Sequence, residues 1–209
     1  MKALGACLTI AIGLWPAAAT QPRRPPNDFV PGARLVFQDD FKAVEIGAVP
    51  AKWKLLAGHA AVSELNGERV LALQEGRDVK FAPKLGADLG DAFTVELDVY
   101  PPEGSFGGVI VYLAAGDDER QLAFGQLVLT NGLEHELSGW YPVEAGTFTD
   151  RWHHIALSVR DGKVKCYEDR YLILTVPDLS GFKPRSVSFG GGGNPDMPVV
   201  IKNVKIAVG

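Results

Sequence analysis

The chain has 209 residues, 46% of them hydrophobic and 22% charged, with a formal net charge of −4. That is apolar material for one generous domain whose core needs no disulfide staples. Its basic residues are scattered among acids, which excludes the clustered positive surface that coats nucleic acid. No apolar run reaches membrane-spanning length, and 24 Gly with 14 Pro suit strands and turns better than helices.

Residues 1–19 read as a signal peptide: Lys2 supplies the positive start, residues 3–14 an apolar run, and Ala17-Ala18-Ala19 a small-residue cleavage site. Leu4-Gly5-Ala6-Cys7 spells a lipoprotein box, but it precedes the apolar run rather than following it, so lipidation at Cys7 is not expected. Cleavage after Ala19 leaves Cys166 as a lone thiol, unable to form an internal disulfide. Residues 20–34 are rich in Pro, Arg and Asn and read as an extended leader. From residue 35 to 209 the chain turns to short apolar runs separated by Gly, Asn and Asp, without helical periodicity or internal repeats.

Several of these runs are specific. Asn66-Gly67 predicts a hairpin pairing Val62 with Leu71 and Ala60 with Leu73. Phe93-Thr94-Val95-Glu96-Leu97-Asp98-Val99-Tyr100 alternates strictly, with Glu96, Asp98 and Tyr100 on the polar face. Strands are also predicted over 108–114, 122–130, 185–189 and 199–207. Asn131-Gly132 predicts a further hairpin, read with a three-residue loop that pairs Leu127 with Leu137 and turns Glu134 and Glu136 outward. Asp161-Gly162 sets Val159 opposite Val164 and Leu157 opposite Cys166, burying the cysteine. Many short antiparallel strands with regular turns predict an all-β sandwich or barrel.

A series of motifs runs in order through the chain. It comprises Asp28-Phe29-Val30-Pro31-Gly32, Phe37-Gln38-Asp39-Asp40-Phe41, Pro50-Ala51-Lys52-Trp53, FTVELDVY at 93–100, WHHIA at 152–156, VKCYEDRYLILTVP at 164–177 and IKNVKIA at 201–207. The series resembles the concanavalin A-like, laminin-G-type jelly roll found ahead of the OmpA-type peptidoglycan-binding domain in some Gram-negative envelope proteins. The resemblance implies a two-sheet antiparallel β-sandwich over residues 35–209 and a secreted or periplasmic location. In that family an OmpA-type domain follows the last strand, whereas this sequence stops at Gly209, so function is expected to reside in the sandwich. The fold hosts lectins, receptor-binding modules and glycan hydrolases, and function has to be argued from the site.

Hydrolases of the laminarinase type on this sandwich carry Glu-x-Asp-x-x-Glu on one strand, which places nucleophile and acid on one face. Here Glu96 and Asp98 share a face, but Tyr100 and Pro101 stand where the third carboxylate belongs, and Glu103 lies beyond Pro101-Pro102. Catalysis is therefore not expected. Nucleophile-elbow, P-loop and zincin signatures are absent, and Gly190-Gly191-Gly192-Gly193 lacks the Lys-Ser/Thr and the helix of a phosphate cradle. His153 and His154 are adjacent on a strand and point to opposite faces, so they cannot chelate one ion, while His59 and His135 stand alone in sequence. A structural calcium, common in this fold near the first and last strands, would draw on Asp40 and Asn203.

Sugar sites stack an aromatic on the ring and hydrogen-bond its rim. Trp140 and Tyr141 are the aromatic pair expected to line a groove, with Tyr112, Glu96 and Asp98 on outward faces; Trp53 and Trp152 are assigned to the core. The expected function is a non-catalytic binding module whose partner is a polysaccharide or cell-envelope glycan. A protein–protein scaffold in the envelope, or a glycan hydrolase with a non-standard carboxylate pair, are the alternatives.

Overall fold

The structure is a computed structural model describing residues 28–74, 79–104, 108–124, 129–134, 136–137, 148–169, 171–191 and 196–209. Among these residues there are strands and no helix, so no helix long and apolar enough to cross a membrane. The first half of the chain forms β1 (Arg34–Asp39), β2 (Trp53–Ala57), β3 (Ala60–Leu65), β4 (Glu68–Leu73), β5 (Lys80–Pro83), β6 (Phe93–Tyr100) and β7 (Val109–Ala115). The second half forms β8 (Asp118–Phe124), β9 (Leu129–Asn131), β10 (Glu136–Leu137), β11 (His153–Arg160), β12 (Lys163–Glu168), β13 (Tyr171–Val176), β14 (Ser186–Gly191) and β15 (Val199–Val208).

They build two antiparallel sheets. A nine-stranded sheet runs β10-β13-β12-β11-β6-β15-β4-β3, with β1 also on β15, and a six-stranded sheet runs β2-β5-β14-β7-β8-β9. The alternation of β6 is the reason it sits near the centre: Phe93, Val95, Leu97 and Val99 are buried against the opposite sheet, while Glu96, Asp98 and Tyr100 face out. Across the sandwich stand Val109, Val111 and Leu113 of β7, Leu122 and Phe124 of β8, and Phe81 and Phe189. Each such side chain contributes about 1.5–3 kcal/mol on leaving water. Trp53 closes one end, packed on Phe37, Phe41, Phe81 and Phe189, its indole N–H donating to the buried Asp39 carboxylate at 2.9 Å.

Two predicted hairpins form as read. Asn66 and Gly67, and Asp161 and Gly162, all have positive φ, and the registers Val62↔Leu71, Ala60↔Leu73, Val159↔Val164 and Leu157↔Cys166 follow. Cys166 is fully buried.

The hairpin at Asn131-Gly132 does not form. Gly132 has positive φ but Asn131 does not, and β9 pairs with β8 in the six-stranded sheet while β10 pairs with β13 in the other. The chain changes sheets here, with Leu133 buried at the crossing. The predicted strand over 122–130 is likewise two strands, since Ala123 pairs with Leu129. Leu127 lies outside the described residues.

β15 carries a further irregularity that matters for the site. Its start, Val199–Ile201, pairs with β4, and Val204 to Val208 pair with β1, while β6 runs along the other edge throughout. The exchange of partners falls at a bulge between Lys202 and Lys205, where Asn203 takes φ +53°. Asn is among the few L-residues that adopt this conformation readily.

Candidate functional site

The outer face of the nine-stranded sheet carries a polar network assembled by strand register. β11 pairs with β6 so that His154 lies opposite Asp98 and Ala156 opposite Glu96, and β15 sets Lys202 beside Asp98 and Lys205 beside Glu96. His154 Nδ1 donates to Asp98 Oδ1 at 2.8 Å, and its Nε2 lies 3.4 Å from Glu96 Oε2. The bulge turns Asn203 onto the same face, where its amide donates to Asp98 Oδ2 at 2.7 Å. Hydrogen bonds to Asp98 and Glu96 push the His154 pKa up to about 9, against the opposing effect of burial, so the ring is an imidazolium at neutral pH. Burial pushes the Asp98 carboxyl up, but the bonds from His154 and Asn203 and the charges of His154 and Lys202 together outweigh it and hold it below the ordinary carboxylate value.

The neighbouring rows frame this network. In one direction Trp152 and Tyr100 lie with ring centroids 5.5 Å apart, and Lys202 Nζ sits 4.0 Å from the Trp152 ring centroid while bridging to Glu68. These side chains cover a small outer apolar cluster of Val70, Ala72 and Val200. Trp152 therefore packs on the outside of the sheet, not in the core as expected: the chain neighbour His153 points inward, and Trp152 lies on the opposite face against Tyr100. In the other direction Tyr167 of β12 lies opposite Ala156, so one row across the sheet reads Tyr167, Ala156, Glu96, Lys205.

Residues 28–32 cross the face beside that row. Gly32 N–H donates to Thr94 Oγ1 at 3.0 Å, Phe29 meets Tyr167 edge-on at 5.4 Å, and Asp28 bonds Tyr167 and Lys165. Gly32 is required by close approach: a Cβ there would stand 2.7 Å from the Ala207 carbonyl carbon. The segment forms one wall of the polar row.

Of the five predicted ligand-binding residues, Glu96 and Asp98 come together. Tyr112 is on the outer face of the six-stranded sheet, on the far side of the sandwich, so it shares no site with them. It is nearly buried there, with Lys80 Nζ 4.3 Å from its ring centroid and the bare Gly190 beneath it. Trp140 and Tyr141 lie outside the described residues, as do His135 and the signal and lipoprotein-box residues. Asp40 and Asn203, named for calcium, have separate partners: Asp40 accepts from the Lys42 backbone and pairs with its ammonium, while Asn203 faces Asp98 next to cationic Lys202. A hard cation needs several oxygens converging on one point, and these two residues do not fit such a site.

Among the described residues, His153, Glu168 and Asp169 hold candidate ligand atoms within 4.8 Å of one another. His153 points inward, opposite to His154, with Nδ1 2.6 Å from Glu168, Nε2 2.8 Å from the Phe148 carbonyl and the Phe148 ring stacked on it at 4.3 Å. Asp169 accepts from the His154 N–H and from Arg151. This cluster is already satisfied by its own bonds and ties the end of β12 to β11.

The residues that sequence reasoning missed are His154, Tyr167, Lys165 and Asp28, and Asn203, expected at a calcium site, instead bonds Asp98. The signal for His154 is parity: it shares an outward face with the polar residues of β6 once β11 is paired to β6. No local signal marks Asn203, whose orientation comes from the bulge.

No protein-family model matches the sequence, and no curated protein matches it. Solved structures do. A Bacillus subtilis protein with a galectin-like fold is 13% identical over 84% of this chain and 96% of its own, with a TM-score of 0.55. The Emp47p carbohydrate recognition domain is 15% identical over 84% and 97%, with a TM-score of 0.53. The metal-free Emp46p carbohydrate recognition domain is 12% identical over 83% and 95%, with a TM-score of 0.51. This chain is thus an antiparallel two-sheet jelly roll of the galectin- and concanavalin A-like kind. Emp46p has also been solved potassium-bound, so the fold is compatible with a metal ion.

Proposed function

We propose that this is an exported, non-catalytic glycan-binding module whose ligand lies on the outer face of the nine-stranded sheet. The observation that carries the reading is the Glu96–His154–Asp98–Asn203 network, partly exposed on that sheet, with Tyr100 and Trp152 beside it. Carboxylate oxygens, an imidazolium and an amide offer acceptors and donors to ring hydroxyls, and flanking aromatic edges offer apolar contact to the ring. The likeness to Emp46p and Emp47p, both carbohydrate recognition domains, supports the same reading.

The electrostatics argue against hydrolysis. A glycosidase needs one carboxyl with a raised pKa to protonate the leaving oxygen. Asp98 is held below its ordinary value, and His154 bonds both carboxylates of the strand. Export is supported by the sequence of residues 1–19.

The test is retention on a panel of soluble and insoluble polysaccharides. Asp98→Asn and His154→Ala are expected to weaken retention about tenfold or more, the loss of a charge-assisted hydrogen bond at a rim. A folded protein that binds no glycan, or that releases reducing ends, overturns the reading. For export, expression in a Gram-negative host should yield a chain beginning at Thr20 outside the cytoplasm; an uncleaved cytoplasmic chain overturns that part.

A further inference from the structure

We infer that Lys165 and Tyr167 form a receptor for a ligand carboxylate, that Asp28 fills it in the free chain, and that the glycan taken by this sheet is a polyuronate. This rests on the glycan-binding reading and narrows it to a ligand class.

The Asp28 carboxylate is held at both oxygens: Lys165 Nζ donates to Oδ2 at 2.6 Å and the Tyr167 hydroxyl donates to Oδ1 at 2.8 Å. One donor for each oxygen is the arrangement that recognises a planar carboxylate. Burial, then the Asp28 contact, raises the Tyr167 pKa, so the hydroxyl keeps the proton it donates. The pair borders an open pocket of about 250 Å³, room for a sugar ring, on whose rim Ser158, Arg160 and Lys163 also stand. Three cations thus meet two acids, Asp28 and Asp161, on a chain whose net charge is −4. Removing the Asp28 side chain from the pair leaves a local positive excess that only an anionic ligand would offset.

Asp28 is suited to leave. Its side chain is 57% exposed and Val30 is 61% exposed, so the Asp28 carboxylate can turn to solvent while Phe29 stays against Tyr167. The pocket and the His154 network share the outer face of one sheet, with segment 28–32 crossing between them, so a polymer that reaches both passes over that segment. A uronate at the pocket and neutral hydroxyls on the network would satisfy both parts of one face.

The experiment compares binding of the full chain to polygalacturonate, to its methyl ester and to dextran sulfate by isothermal titration calorimetry. The acid is expected to bind more tightly than either comparator. Asp28→Asn is expected to strengthen acid binding about tenfold, the gain if the internal carboxylate occupies the pair nine-tenths of the time. Lys165→Met should abolish the preference for acid over ester, and if that variant does not fold, Tyr167→Phe should reduce it several-fold while retaining the ring. Equal binding of acid and ester, or no gain from Asp28→Asn, overturns the carboxylate receptor and leaves the glycan reading intact. Equal binding of dextran sulfate shows a response to charge alone and likewise overturns it. Binding of no polysaccharide overturns both.

Discussion

His154 connects three strands because its ring reaches two carboxylates on β6 while its own strand is packed on the other side. Its pKa of about 9 in the fold, against 6.5 for the free side chain, makes a stability statement whose sign is definite. The raised value means that folding is favoured by the proton: the contribution is fully present below about pH 6.5 and is lost as pH rises through about 9. The melting temperature of the wild-type protein should therefore fall between pH 7 and pH 9.5, and His154→Gln should flatten that slope. The ring is 42% exposed, so screening keeps the effect to about 1 kcal/mol or less. Thermal melts across that pH range in low and high salt measure it; an unchanged slope in the variant would show that the network does not titrate as described. Parity was legible here from sequence, since Glu96 and Asp98 were placed outward by alternation. The partner was not, because nothing in WHHIA says which strand β11 will lie beside.

At the scale of elements, β12 shows what local chemistry settles. Asp161-Gly162 supplies two positive φ values, the turn twist matches the strands, and the register that buries Cys166 follows within a few residues. Asn131-Gly132 offers the same pair of residue types, yet the chain passes from one sheet to the other there. A turn dipeptide states only that the chain can reverse; the burial of Leu133 and the pairing of β10 with β13 decide that it crosses. The segment 28–32 is a third case. It was read as part of a leader, and it lies across the sheet because Gly32 lets two backbones approach. Gly32→Ala should push this segment off β15, at a cost of about 1–3 kcal/mol if the contact is kept. Limited proteolysis should then cut between residues 28 and 33 faster than in wild type, and equal cutting rates would sink that account.

For the whole molecule, the two sheets meet over an apolar interior that ends at Trp53. This residue joins ring packing to a polar tie, since its N–H is directed at the buried Asp39 carboxylate, which also accepts from the Phe41 N–H. Trp53→Phe keeps an aromatic but leaves that carboxylate short of one donor, with an expected loss of about 1–3 kcal/mol in urea unfolding. A loss below about 0.5 kcal/mol would mean that Asp39 finds water or Lys52 in place of the indole.

Alternation and turn chemistry, which act within about ten residues, were enough to establish from sequence alone an all-β chain, two of its hairpins, the inward cysteine and the outward carboxylates of β6. What only the tertiary structure decided is non-local: the sheet each strand joins, the outer position of Trp152, the separation of Tyr112 from Glu96 and Asp98, and the bulge that turns Asn203 toward Asp98. Those outcomes depend on pairings between residues far apart in sequence: 105 positions for Asn203 and Asp98 and, from 208 minus 34, 174 for Arg34 and Val208. Whole-sheet burial selects among such pairings, and no single segment encodes the choice.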